Sequence, residues 1–345
     1  MNVAFTYNTQ RSKPTAHLDQ QTDLEFDSPE VIEGIVQSLE RLGHRVYPIE
    51  ADLKSLAKLA KLKNKIHIVF NIAEGIGGEA RESQIPIYCE MLNIPYTHSG
   101  PTTHALGLNK SWTKQFLMGM TGINVPKSVL ISSEQTTIPP ALTYPLIIKP
   151  NSEGSSKGIL DKNVVHELKT LKERIKIMSG NFQGGVIVEE YIEGREFTVG
   201  ALGNNEAVEI LPIIEQKFDF LPKGMNKIAS YELKWIYEDK LRNLQDAYDC
   251  PAQLSKKERK LIEDTTRLVY QTLNVRDCAR IDYRLDAKGR LYFIEINTLP
   301  GIIPDEKVIS YFPLAARVAG YSFDQMIEKI LQVACMRWGL KYFEK

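Results

Sequence analysis

The chain of 345 residues is long enough for two or three domains with buried cores. Hydrophobic residues make up 43% and charged residues 25%, a globular balance that excludes disorder over most of the length. Lys+Arg and Asp+Glu are both 43, so the chain lacks the basic excess of a dedicated nucleic-acid binder.

Residues 2–7 read as a strand, followed by a polar loop with no apolar period up to Ser28. Ser28-Pro29-Glu30 is an N-cap and first turn. Val31, Ile35, Leu39 and Leu42 then recur at helical spacing until Gly43 stops the run. A strand at 45–49, a helix marked by Leu53, Leu56, Leu59 and Ala60, and a buried strand at 66–70 continue the alternation. That alternation predicts a parallel sheet with helices packed on it, ending near Gly107. The lysines at 54, 58, 61, 63 and 65 lack the interleaved aromatics of a nucleic-acid surface and read as a solvated flank.

Beyond Asn109 the pattern gives a helix, a strand at 127–131, a Pro139–Pro140 link, and a strand at 145–149 that runs into a Ser/Gly loop at 151–158. A charged helix at 165–178 and strands at 186–192, 196–202 and 210–215 follow. The irregular stretch 217–239 has the length of a lid. A helix at 256–274, a hairpin at 279–297 and a helix from about Ser322 complete the chain.

The hairpin carries most of the chemistry. A four-residue loop at 286–289 would set Leu285 opposite Arg290 and Arg280 opposite Glu295. Period two then gathers Arg280, Asp282, Glu295 and Asn297 on one face and Ile281, Tyr283, Ile294 and Ile296 on the other. Two carboxylates and an amide oxygen are hard ligands suited to Mg²⁺; a solvated face with an Arg–Glu cross-strand pair is the bland alternative. A three-residue loop with a bulge would move Glu295 to the apolar side.

In the 145–158 segment a buried strand delivers Lys149, and backbone N–H groups and serine hydroxyls that could wrap phosphate oxygens follow. Gly154-x-Ser156-x-Gly158 also matches the nucleophile elbow of hydrolases, but His166 is the only later histidine, so an acid-then-His order cannot be completed. There is no GxxxxGK[ST] and no HExxH. The acids that end the 186–192 strand fit a soluble sheet edge equally well.

Taken together and in order, GIGGE at 75–79, IPYT at 94–97, Asn109-Lys110, Lys149-Pro with EGSS at 153–156, EEYI at 189–192, GREFTV at 194–199, ARID at 279–282 and EINTLPG at 295–301 resemble the D-alanine–D-alanine ligase branch of the ATP-grasp superfamily. The resemblance implies an α/β ATP-grasp fold of three α/β domains: an N-terminal parallel-sheet (pre-ATP-grasp) domain at 1–108, a small ATP-grasp subdomain at 109–188 and a large one with the metal site at 189–345. It implies that Lys110 and Lys149 touch the ATP phosphates, that Ser155 and Ser156 close over them, and that Glu189, Tyr191 and Ile192 hold adenine with Glu196 on the ribose. Asp282, Glu295 and Asn297 would bind two Mg²⁺ ions, with Mn²⁺ as a substitute. Lys234 would be the lid lysine near the γ-phosphate, and Arg280 would contact the transferred phosphate. Glu74, Glu79, Gly301 and Ser310 would line the substrate site.

The implied reaction is an ATP-dependent carboxylate–amine ligation through an acyl phosphate, joining amino-acid or peptide substrates. D-alanine–D-alanine ligation proper and an ATP-binding protein without ligase activity are the alternatives. Three departures concern the substrates. The region after Tyr7 is longer than in the family, with Ser12, Glu25 and Ser28 as stand-ins. Glu74 stands where the ligases usually have His, and the segment after Gly301 is longer before Pro313. A homodimer is implied by resemblance alone. Four dispersed cysteines and a polar N-terminus give the expectation of a cytoplasmic protein with no membrane or nucleic-acid partner.

Overall fold

The computed structural model describes residues 1–12, 23–131, 139, 141–182 and 184–342. Residues 13–22 of the polar stretch before Ser28, and Pro140 of the proline link, therefore lie outside the described residues.

The expected N-terminal sheet is parallel: β1 (Asn2–Tyr7) lies between β2 (Arg45–Glu50) and β3 (Ile68–Asn71). Helices α1 (Pro29–Arg41), α2 (Ser55–Leu62), α3 (Gln84–Leu92) and α4 (Pro101–Leu108) accompany it. Ser28 caps α1 by accepting from Val31 N at 3.4 Å. The second helix starts later than its apolar spacing implies. Asp52 Oδ1 accepts from Lys54 N at 2.8 Å, making a turn that leaves Leu53 89% exposed.

The second sheet is antiparallel, with β4 (Ser128–Ile131), β7 (Val186–Glu190), β5 (Leu146–Pro150) and β6 (Val164–Val165) in that spatial order. Leu171, Ile175 and Met178 of α6 (Leu168–Ser179) pack on it. Ahead of it runs α5 (Lys110–Thr121), capped by Asn109 Oδ1 accepting from Trp112 N at 3.0 Å, which sets Lys110 and Lys114 one turn apart on one helix face.

The third sheet runs β11 (Tyr248–Asp249), β10 (Ile214–Gln216), β8 (Gly194–Leu202), β12 (Cys278–Asp286), β13 (Leu291–Asn297), with β9 (Glu209–Ile210) also on β8. The single strand expected at 210–215 is two short ones, separated by a segment containing Pro212, which has no N–H for the ladder. α7 (Lys256–Thr272) opens with a Ser255–Glu258 capping box. An unanticipated helix, α8 (Tyr311–Val318), carries Pro313 in its first turn, where a proline is tolerated. α9 (Phe323–Arg337) starts at the Ser322 cap and puts Ile327, Ile330 and Leu331 into one core with Val3, Phe5, Ile35 and Leu39. The chain's last helix thus closes on its first sheet.

The hairpin register differs from expectation. Asp286 N donates to Arg290 O at 3.0 Å, so the loop is the three residues 287–289, with Gly289 at φ +74°. Leu285 pairs with Leu291 rather than Arg290, a shift of one residue. A bulge at Ile294 adds a second, so that Asp282 faces Glu295 and Arg280 faces Asn297. The two shifts restore parity, and the four polar residues still share a face. Ile294 leaves the apolar face and Phe293, 1% exposed, takes its place in the core.

Candidate active site

The second and third sheets face each other across a cleft that, with its open mouth, encloses about 950 Å³. β5 and β7 contribute Ile147, Lys149 and Glu189, while β8, β12 and β13 contribute Glu196, Thr198, Arg280, Asp282, Arg284, Ile294 and Glu295. A second cavity of about 1280 Å³ adjoins it, and Ser155, Lys234, Glu238, Arg280, Glu295 and Tyr311 line both.

Lysines crowd the inner wall. Lys149 Nζ donates to Glu189 Oε2 at 3.1 Å, and Lys114 Nζ donates to Glu189 Oε1. Burial alone would raise the Glu189 carboxyl, but the charges of Lys114 and Lys149 outweigh it and hold it below the usual range. Burial pushes Lys114 down to about 8. Lys110 Nζ lies 3.3 Å from Glu295 Oε2 and also donates to Glu153 O. Burial opposes ionisation of Glu295, yet Lys110, Lys149 and Arg280 hold its pKa at about 2.

On the hairpin face Arg280 grips Asp282 with two bonds, Nε to Oδ1 at 3.2 Å and Nη2 to Oδ2 at 3.1 Å. Thr198 Oγ1 donates to Asp282 Oδ1 at 2.8 Å, and Asn297 Nδ2 lies 3.4 Å from Oδ2. Burial and then the Glu295 charge raise the Asp282 pKa against the pull of Arg280.

The opposite end is flat and aromatic. Arg284 stands 5.0 Å from the Tyr191 ring, donates to Ile192 O at 2.8 Å, and binds Glu196 Oε2 through Nε at 3.0 Å. Sequence reasoning missed Arg284 and Lys114. Arg284 continues the alternation of Arg280 and Asp282, and Lys114 lies one helical turn after Lys110, so both signals were present.

The Ser/Gly loop docks on the long irregular stretch. Ser156 Oγ donates to Ala229 O at 2.7 Å, and Trp235 Nε1 donates to Ser155 O at 3.3 Å. Ser155 and Ser156 sit at φ +49° and +58°, a left-handed pair costly for non-glycines and typical of functional loops. Ser156 has a carbonyl for its partner and His166 is exposed, so no serine–histidine pair forms. Lys234, from a short π-helical turn at Leu233–Tyr237, reaches the wall shared by both cavities, where burial and Arg280 lower its pKa.

Of the expected substrate residues, Glu74, Gly301 and Ser310 line the second cavity. Ser310 Oγ donates to Gly301 O at 2.9 Å and accepts from Ile303 N at 3.3 Å, pinning the 301–310 segment. Glu79 is exposed and lines a third cavity with Gly77 and Ser152, which shares Glu25, Phe26 and Glu153 with the second. Among the stand-ins, Glu25 lines the second cavity, held by Arg81 and Gly154 N. Ser28 is committed to its helix cap and Ser12 N to Asp23 Oδ2 at 2.8 Å.

Comparison with known proteins matches residues 117–332 to the family described as D-ala D-ala ligase C-terminus. The D-alanine–D-alanine ligase of Aquifex aeolicus is 31% identical over 86% of this chain and 92% of its own length; that of Actinobacillus succinogenes is 30% identical over 87% and 90%. An uncharacterised protein of Sinorhizobium fredii is 33% identical over 89% and 88%. Among solved structures, the Bacillus anthracis D-alanine–D-alanine ligase complexed with ATP superposes with a TM-score of 0.72 at 19% identity, covering 98% of both chains. The VanG D-Ala:D-Ser ligase of Enterococcus faecalis gives 0.69 at 21% identity over 96% and 99%. These likenesses establish the ATP-grasp fold, and the match over most of the sequence means that this chain belongs to the D-alanine–D-alanine ligase family.

Proposed function

We propose that the protein is an ATP-dependent ligase that joins two amino-acid-like substrates by an amide bond through an acyl phosphate. The observation that carries this reading is the convergence of Lys234, Arg280 and Glu295 on the wall shared by two adjoining cavities, of which we assign the first to nucleotide and the second to substrate. Adenine fits against Tyr191 and Ile192, the ribose at Glu196, and the phosphates toward Lys110 and Lys149 under the Ser155–Ser156 loop. Glu189 acts on the nucleotide by fixing Lys149, since both of its oxygens are engaged by lysines.

Asp282, Glu295 and Asn297 suit Mg²⁺. Their donors are hard oxygens, and the mutual repulsion of the neighbouring Asp282 and Glu295 carboxyls is relieved by a divalent cation. Bound with the nucleotide, such ions supply charge neutralisation on the phosphates. Among the described residues no group of three or more His, Cys, Asp or Glu side chains is placed to hold a metal, so a cation here would rely on two carboxylates, the Asn297 amide oxygen and the nucleotide's phosphates. In the reaction a substrate carboxylate oxygen takes the γ-phosphoryl group, and ADP leaves. The second substrate's amine then attacks the acyl carbon, and phosphate departs as the amide forms. Arg280 and Lys234 stabilise the charge that develops at the shared wall, and the covering loop keeps water from the acyl phosphate.

Replacing Lys149 or Glu295 by alanine should abolish amino-acid-dependent ADP formation in folded protein, scored by coupled phosphate release and mass spectrometry of products. Retained turnover in both variants would sink the reading. D-alanine paired with itself belongs in the substrate panel because several relatives are D-alanine–D-alanine ligases.

A further inference from the structure

The first cavity holds a cation that the ligation chemistry does not use. Arg284 lies on β12 two residues beyond Asp282, on the same face, and the antiparallel register of β8 with β12 sets it directly opposite Glu196. Its side chain is only 6% exposed, a depth at which a charge must be paired.

Four hydrogen bonds fix the guanidinium. Nε donates to Glu196 Oε2 at 3.0 Å, and Nη2 donates to the same oxygen. Nη1 donates to Ile192 O at 2.8 Å, and Nη2 also donates to Lys227 O. The guanidinium carbon lies 5.0 Å from the centre of the Tyr191 ring and 6.0 Å from that of Phe218. Tyr191 OH donates to Lys227 O as well, at 3.1 Å. One side chain therefore meets Tyr191, Ile192 and Glu196, the three residues assigned to adenosine, and ties them to the irregular 217–239 stretch.

The bonds do not fall evenly on the Glu196 carboxylate. Both reach Oε2, and Oε1 has no hydrogen-bond partner among the described residues, although Glu196 lines the cleft. A carboxylate oxygen held in place through its twin and lacking a donor is an acceptor for hydroxyl groups, which the vicinal diol of a ribose supplies. The planar fork of an arginine sets that orientation, whereas a lysine would offer a point charge that either oxygen could take.

We propose that Arg284 is a positioning residue for the nucleotide: it fixes Glu196 with Oε1 free to accept from the ribose hydroxyls, so that ribonucleotides are selected over their deoxy analogues. The proposal rests on the assignment of the first cavity to nucleotide.

The test is calorimetric titration of the full chain with the Mg²⁺ complexes of ATP, 2′-deoxy-ATP and 3′-deoxy-ATP, for the parent, Arg284→Met, Arg284→Lys, Glu196→Gln and the double variant of Arg284→Met with Glu196→Gln. The parent should bind ATP more tightly than at least one deoxy analogue by about tenfold or more, the worth of a hydrogen bond to a charged group. Arg284→Met and Arg284→Lys should weaken ATP and bring that ratio toward one, with the deoxy analogue affected less. An arginine with a merely structural role would weaken all three nucleotides alike, and that result overturns the proposal. Arg284→Met alone strands a buried carboxylate, so the double variant removes both charges. If Arg284 acts through Glu196, adding Arg284→Met to Glu196→Gln moves the ratio no further. A parent ratio near one, or a ratio that survives Glu196→Gln, overturns the proposal and leaves the nucleotide assignment standing. A parent that binds none of the three overturns the ligase reading and the proposal together.

Discussion

Lys114 and Lys149 share one carboxylate but have different surroundings. Lys149 lines the nucleotide cleft, whereas Lys114 has 1% of its side chain exposed and meets Glu189 beneath the wall. An ammonium that deep is tolerable only because the Glu189 carboxylate beside it is equally buried. Removing it leaves that carboxylate with Lys149 alone. Lys114→Met is therefore expected to destabilise the fold by about 3 kcal/mol, the usual cost of breaking a buried ion pair from one side. Lys149→Met should act chiefly on ATP affinity. Urea unfolding and nucleotide titration of both variants separate the two effects; equal stability of Lys114→Met and the parent would mean that the buried pair contributes nothing.

At the level of elements, what could be read from the sequence depended on which force set each feature. Alternating apolar periods gave the parallel N-terminal sheet because burial alone decides them. The polar face of the hairpin was legible for the same reason, but its register was not. The three-residue turn and the bulge at Ile294 are set by backbone hydrogen bonding, which leaves no mark in hydrophobic pattern. The second cavity was the least legible part, since Glu25, Glu74, Arg81 and Glu153 come from separate segments and meet only in the folded chain. Close backbone approach sets a further constraint where β8 begins. Gly194, at φ +153°, leaves room for Leu285 O, which an added Cβ would approach to 2.1 Å. Gly289 in the turn also has a positive φ, +74°, but open space around it. Gly194→Ala should thus cost about 3 kcal/mol through overpacking and strain, and Gly289→Ala only about 1 kcal/mol. Denaturant midpoints for the two variants check the order, which would be reversed if strand spacing near Glu196 could relax freely.

Across the whole molecule, the acids gathered between the sheets make stability depend on pH in an unusual direction. Burial raises Asp27 and Glu238 to about 7, and Glu74 is also raised by burial and its acidic neighbours. In the unfolded chain these carboxyls ionise near 4, so between about pH 4 and 7 the folded state binds more protons than the unfolded state. Stability contributed by a raised carboxyl is complete below the unfolded pKa and is lost as pH climbs through the folded one. His98 works the other way. Its folded pKa of about 3 lies below the ordinary 6.5, so it favours unfolding as pH falls below about 6.5. Three carboxyls against one imidazole leave about two more protons on the folded state, a net loss on raising the pH of about 2–3 kcal/mol per unit from these groups through pH 5–7. Ligand-free protein should therefore melt at a higher temperature at pH 5.5 than at pH 7.5. Calorimetry of the ligand-free protein at the two pH values registers the difference. A melting temperature that rises steadily from pH 5 to 8 in the ligand-free protein would mean that these carboxyls are ionised at neutral pH and balanced by the protein itself.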